Sequence, residues 1–226
     1  AGADYHHVET SLLDPEFRSY SEAYWESRVM APSSLLFYLG FDRRLEGLRH
    51  HNLFFDRSLD VHAREIYDAP AWPSDPLMYV CVPSITDPSV APAGHENVFA
   101  LIPIAPGLED TPAIRERYLR QVLDRIGQRT GIDVRPHMVL QRSYCINDFQ
   151  ADHNAFRGNA YGLANTLRQT AVLKPRMKSR RVQGLYFTGQ LTVPGPGVPP
   201  SLISGQVVAD LIAKEFPQRA TSPLPA

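Results

Sequence analysis

Apolar residues recur along this chain at two different spacings, and the alternation between them predicts a mixed helical and stranded fold. Phe17, Tyr20 and Tyr24 step by three and four residues, which predicts a helix over Glu16 to Arg28. Ser33 to Phe41 is an almost unbroken apolar run of strand length and predicts a buried strand. A short strand over Asn52 to Phe55 follows, then a helix capped near Ser58 that carries Val61, Ile66 and Tyr67. Leu77 to Val82 and Asn97 to Ile104 predict two more strands, separated by a proline-rich turn at Pro83 to Gly94. Thr111-Pro112 opens the clearest helix, with Ile114, Tyr118, Val122 and Ile126 at four-residue steps and Gly131 just past its end. Val134 to Tyr144 returns as a strand.

Further on, the stretch from Leu185 to Ile212 changes character three times in quick succession. Leu185, Tyr186 and Phe187 are strand formers, and Gly189 ends their run. Pro194-Gly195-Pro196-Gly197-Val198-Pro199-Pro200 excludes regular structure, because each proline removes an N–H and each glycine offers a backbone without a side chain. From Ser201 the prolines stop, and Leu202, Ile203, Val207, Val208, Leu211 and Ile212 form an apolar stripe at helical spacing. A strand, a stiff loop and a helix N-terminus bring unpaired N–H groups and the positive end of a helix dipole together. That arrangement suits a flat ring carrying negative charge or a carbonyl oxygen; equally, it suits a plain crossover between strand and helix. It is not a dinucleotide fingerprint, because Gly195 and Gly197 supply G-x-G but Pro200 takes the place of the third glycine.

Composition narrows the class. The 226 residues are 43% hydrophobic and 21% charged, enough chain to bury roughly 70% of its unfolded surface if it folds alone. A net charge of -1 gives no basic footprint for nucleic acid. No apolar run approaches the ~18 residues of a spanning helix, so a membrane role is peripheral. Cys81 and Cys145 lack C-x-x-C spacing and are expected as buried free thiols. His6-His7 and His50-His51 are expected to bind no metal, since neighbours on a strand point to opposite faces and no third ligand stands at a defined spacing. Asp148, Asp152 and His153 are read as capping or surface groups. The basic run Lys174, Arg176, Lys178, Arg180 and Arg181 is read as a solvated turn, with anionic lipid headgroups as the sharper alternative. Within Asn154 to Asn165, Gly158 and Gly162 permit close backbone approach, and Phe156 and Tyr161 offer an apolar wall; a surface loop packed on its own aromatics is the plainer account.

Gly189, Thr192, Pro194, Gly195, Gly197, Val198 and Pro199 match in order the pattern G-x-x-T-x-P-G-x-G-[IV]-P. In this the chain resembles the bacterial and fungal phytoene desaturase type of carotenoid desaturase, an FAD-dependent oxidoreductase family. The resemblance extends through DYHHVE (Asp4 to Glu9), YWESRVMAPSSLLFYLG (Tyr24 to Gly40), HHNLFF (His50 to Phe55) and Asp148 to Pro175. Two departures stand out: Gln190-Leu191 replace small residues, and Pro200 replaces a frequent glycine.

The resemblance implies an α/β fold: an α+β substrate domain portion over residues 1–142, the C-terminal part of a Rossmann-like FAD-binding domain of the glutathione-reductase/amine-oxidase type over 143–216, and a disordered tail over 217–226. It implies that the chain is the C-terminal half of a longer enzyme whose N-terminal half is a necessary partner, because no glycine-rich ADP-binding segment precedes Asp4. FAD is then expected against Gly189, Gln190, Thr192, Pro194, Gly195, Pro196, Gly197, Val198 and Pro199, and a polyene channel near Phe156, Tyr161 and Gly162. The implied reaction is dehydrogenation of a long isoprenoid, phytoene toward lycopene, by a cytoplasmic enzyme peripherally attached to membrane. No catalytic acid or base is assigned. Other flavoenzymes of the same fold (carotenoid isomerase, ketolase, amine oxidase) and a non-enzymatic prenyl-lipid binder are the rival expectations.

Overall fold

The computed structural model describes residues 1–217. The expected disordered tail lies outside the described residues except for Pro217. In chain order the main elements are α1 (Tyr5–Ser11), α2 (Glu22–Glu26), β1 (Ser33–Phe41), β2 (His51–Phe54), α3 (Leu59–Tyr67), β3 (Met78–Cys81), β4 (Glu96–Ile104), α4 (Pro112–Thr130), β5 (Met138–Tyr144), α5 (Ile146–His153) and α6 (Val198–Glu215). The described residues fall into two compact units: a sheet unit, Pro32–Ala160, and a split unit made of Ala1–Ala31 and residues 161–217.

The sheet unit carries a five-stranded sheet in the order β2-β3-β4-β1-β5. Every pairing is antiparallel, and β1 lies between β4 and β5. Alternation decides which side is covered: Leu35, Phe37, Leu39 and Phe41 of β1 and Val98, Ala100, Ile102 and Ile104 of β4 are all buried. Tyr118, Leu119, Val122, Leu123 and Ile126 of α4 join the same core. Each fully buried Leu, Ile or Phe contributes about 1.5–3 kcal/mol over its exposed state. The limits of α4 are those the sequence predicts. Thr111 accepts the Ile114 N–H, Pro112 sits in the first turn, and Gly131 closes the helix at φ 75°, donating to the Gly127 carbonyl. β5 begins four residues later than expected because Arg135–His137, around Pro136, forms a 3₁₀ turn first.

Within the split unit the predicted helix over Glu16 to Arg28 is broken into a 3₁₀ turn at Pro15–Phe17 and the short α2. The cause lies in α1, where the buried Glu9 carboxylate accepts the N–H groups of Ser19 (2.8 Å) and Tyr20 (3.1 Å), so neither donates to a helical carbonyl. Tyr20 then turns inward onto Tyr5 and Trp25, and Phe187 stacks on Tyr5 with ring centres 3.5 Å apart. Leu185 to Phe187 is extended but forms a single bridge, Tyr186 to Lys178, instead of a strand. Its partners are too short for a ladder: Ser179 N–H to Leu185 O and Phe187 N–H to Met177 O on one edge, Ala1 on the other.

α6 starts at Val198, three residues before the expected Ser201, since Pro199 and Pro200 occupy first-turn positions where no N–H is needed. Only Ser204 and Val208 of this helix are buried, and much of its apolar stripe is exposed in this chain. No helix among the described residues is long and apolar enough to cross a membrane.

Candidate functional site

The loop between Gly189 and Gly197 is fastened at its start to α6. Gly189 has φ 98°, a conformation L side chains rarely adopt, and its N–H donates to the fully buried Ser204 Oγ at 2.9 Å. Ser204 in turn donates to the Ser201 carbonyl at 2.6 Å. The Thr192 hydroxyl and N–H both donate to the Gly189 carbonyl, at 2.9 and 3.1 Å, and fold the loop back on itself. Gly162 closes one flank, where a Cβ would stand 2.8 Å from the Gln190 carbonyl. The Val193–Pro194 peptide is cis.

Beyond Pro194 stand two glycines that no other residue replaces without strain, Gly195 at φ 133° and Gly197 at φ 112°. A Cβ on Gly195 would meet Lys174 Cε and Nζ, each at 3.6 Å, and Asn165 Oδ1 at 3.9 Å. Lys174 is 4% exposed, and its Nζ has no hydrogen-bond partner among the described residues. Burial holds its pKa below the ordinary lysine value.

The nine residues expected to meet the cofactor therefore occupy one loop and the first turn of a helix: Gly189, Gln190, Thr192, Pro194, Gly195, Pro196 and Gly197 in the loop, Val198 and Pro199 in α6. The expected convergence of N–H groups is smaller than the sequence suggested. Pro199 and Pro200 have no N–H and the Ser201 N–H is bonded to the Gly197 carbonyl, which leaves Gly197 and Val198 as donors at that end. Positive potential here comes instead from the helix dipole and from Lys174. Lys174 was missed because the basic run around it reads as solvated, whereas its members alternate in fate. Lys174 is buried, Lys178 pairs with Glu215, and the Arg180 guanidinium lies 5.1 Å from the Tyr20 ring centre.

The residues expected near a polyene do not share one compact unit. Phe156 is buried in the sheet unit, while Gly162 is buried and Tyr161 exposed in the split unit. The glycines of this segment meet local demands: at Gly158, φ 62°, a Cβ would stand 2.6 Å from the Ile146 carbonyl. Asp148 caps α5 through the Cys145 N–H and pairs with Arg115, and Asp152 accepts from the Tyr144 hydroxyl.

His50 and His51 do not point apart. His50 precedes β2, so strand alternation does not separate the pair, and their rings lie 4.3 Å apart. Cys81, directly across from His51 in the β2–β3 register, completes a group whose ligand atoms lie within 4.8 Å of one another. His50 Nδ1 is 2.6 Å from Thr86 Oγ1 and His51 Nδ1 is 2.6 Å from the Tyr79 hydroxyl. This brings together the third ligand that sequence spacing lacked.

No family model matches the chain. It is 48% identical to a carotenoid 3,4-desaturase of Haloarcula japonica over 95% of its own length and 43% of that protein's. It is 32% identical to an all-trans-zeta-carotene desaturase of Myxococcus xanthus, covering 94% of itself and 41% of the relative. A 4,4'-diaponeurosporene oxygenase of Staphylococcus aureus is 28% identical over 94% of the chain and 42% of that enzyme. The chain thus spans a little over two-fifths of the length of these curated relatives. A solved oxidoreductase structure from Methanosarcina mazei aligns with 92% of the chain and 42% of its own at a TM-score of 0.41 and 16% identity. Over nearly all of its length the chain is homologous to carotenoid desaturases.

Proposed function

Starting from this kinship, we propose that the chain serves an FAD-dependent oxidoreductase that removes hydrogen from a carotenoid or a related long isoprenoid. Desaturation of phytoene toward lycopene is the narrower form of the reading. The observation that carries it in the molecule itself is the pair of positive-φ glycines, Gly195 and Gly197, leading into α6, with the buried Lys174 ammonium beside Gly195. These residues fit a flat, acceptor-rich ring: the glycines let it approach the backbone, Pro194, Pro196 and Pro199 keep the loop stiff, and Lys174 supplies charge. FAD, when bound, supplies the hydride acceptor.

The chain's own part is to hold and orient. Ser204 and Thr192 fix the Gly189 end of the loop, and α6 directs its positive end toward the Gly197 end. A hydrocarbon substrate offers almost no hydrogen-bonding handle, so its binding rests on apolar area at about 25 cal/mol per Å² and on channel shape. Membrane contact, as a source of such a substrate, is peripheral in this reading.

The test is expression of the complete reading frame, a visible spectrum of the purified protein, and product analysis with phytoene and with more desaturated carotenes in liposomes. Bound flavin with longer conjugated products supports the reading. Oxygenated products instead favour the activity named for the Staphylococcus aureus relative. Protein that neither carries flavin nor takes it up overturns the reading in favour of a prenyl-lipid binder.

A further inference from the structure

Among the described residues, Lys174 is a buried cation with no counter-charge in contact. Its neighbours in the basic run are exposed or paired, but its own Nζ is covered and makes no hydrogen bond among the described residues. An ammonium in that position is costly to bury, and a fold that keeps one gains nothing from it unless a partner arrives. The surroundings say where the partner sits. Nζ and Asn165 Oδ1 both pack on the side of Gly195 where a side chain would begin, at 3.6 and 3.9 Å from that point. A hydrogen at that position in place of a methyl group lets the cation pack directly against the loop backbone. The α6 N-terminus adds potential of the same sign but few donors, because Pro199 and Pro200 have no N–H. The site is therefore rich in charge and poor in hydrogen bonds, which favours a group whose negative charge is spread over a ring edge above one bound by many directed bonds.

We propose that Lys174 binds the electron-rich edge of a flavin ring lying on Pro194–Gly197, and that it favours the reduced over the oxidised ring. The proposal rests on the flavoprotein reading above. Hydride uptake by an oxidised flavin adds two electrons and one proton, leaving one extra negative charge on the ring; an ammonium opposite that charge is stabilising only after reduction. Lys174 is thus a positioning residue for the cofactor and sets its potential. It does not touch the substrate.

The test uses protein from the complete reading frame as wild type, Lys174→Met, Lys174→Gln and Lys174→Arg. Three quantities are read: FAD affinity, the reduction midpoint against a dye of known potential, and the unfolding midpoint of flavin-free protein. Lys174→Met is expected to bind reduced flavin at least tenfold more weakly relative to oxidised flavin, which lowers the two-electron midpoint by about 30 mV. Lys174→Arg is expected to recover most of that shift. Flavin-free Lys174→Met and Lys174→Gln are expected to unfold at a higher temperature than wild type, since an unpaired buried charge is gone. A lower unfolding midpoint in both would mean that Lys174 serves the fold and would overturn the proposal. An unchanged potential with flavin bound overturns it while leaving the flavoprotein reading intact, and wild-type protein that cannot be loaded with FAD overturns both.

Discussion

Replacing Ser204 with alanine removes one oxygen and tests whether the candidate loop is held from inside α6. The Gly189 N–H, partly buried, loses its acceptor at 2.9 Å, and an unsatisfied donor of that kind costs about 1–3 kcal/mol. Against this, alanine is a better helix former than serine by about 0.5 kcal/mol. The Ser204 bond to the Ser201 carbonyl stays within one helix turn and contributes little to the loop. The net expectation is about 0.5–2.5 kcal/mol, concentrated at the Gly189 end. Amide hydrogen exchange at Gly189 is therefore expected to speed up about tenfold, since about 1.4 kcal/mol is a factor of ten. Ser201→Ala, which keeps the carbonyl that Ser204 bonds to, is the control and is expected to stay within about 0.5 kcal/mol of wild type. Equal exchange at Gly189 in Ser204→Ala and wild type, or an equal effect from Ser201→Ala, would refute the reasoning.

Two further substitutions test other parts of the account. Burial alone pushes the Asp110 carboxyl up, but the Arg115 guanidinium and the Asn147 N–H outweigh it and hold the pKa below the ordinary value. Its stabilising contribution is thus present above the unfolded carboxylate range and lost as pH falls through the depressed folded pKa. Asp110→Asn leaves Arg115 its second partner, Asp148, and should cost about 1.5–3 kcal/mol near neutral pH in urea denaturation and flatten the acid limb of the stability curve; an unchanged limb counts against the pairing. Gly162→Ala combines a φ of 72° with a Cβ 2.8 Å from the Gln190 carbonyl, so it should displace the Gln190 backbone, lower the unfolding midpoint and weaken FAD uptake together. Wild-type flavin affinity in that variant would separate this flank from the site.

The legible parts of this chain are those governed by near neighbours in sequence. β1 announces itself as an apolar run of strand length, β4 as a second such run after the proline-rich turn, and α4 by its four-residue steps between Thr111 and Gly131. The loop is equally visible, because prolines exclude helix and strand and the glycines mark where backbone must stay bare. What stays hidden depends on contacts between distant positions. The break at Ser19 and Tyr20 is made by Glu9, ten and eleven residues away. The His50–His51–Cys81 group depends on the β2–β3 register, which pairs His51 with Cys81. Lys174 looks like one charge in a solvated run until the loop carrying Gly195 is folded beside it. The apolar Pro175 and Met177 set between its charges were the signal available for it.

The central claim is that the Gly189–Val198 segment faces a flavin, and the most direct measurement is the visible spectrum of protein purified from the complete reading frame, before and after incubation with FAD. The account predicts a flavin band that remains with the protein through gel filtration and is weakened in Gly162→Ala. A protein that elutes colourless after incubation would contradict it.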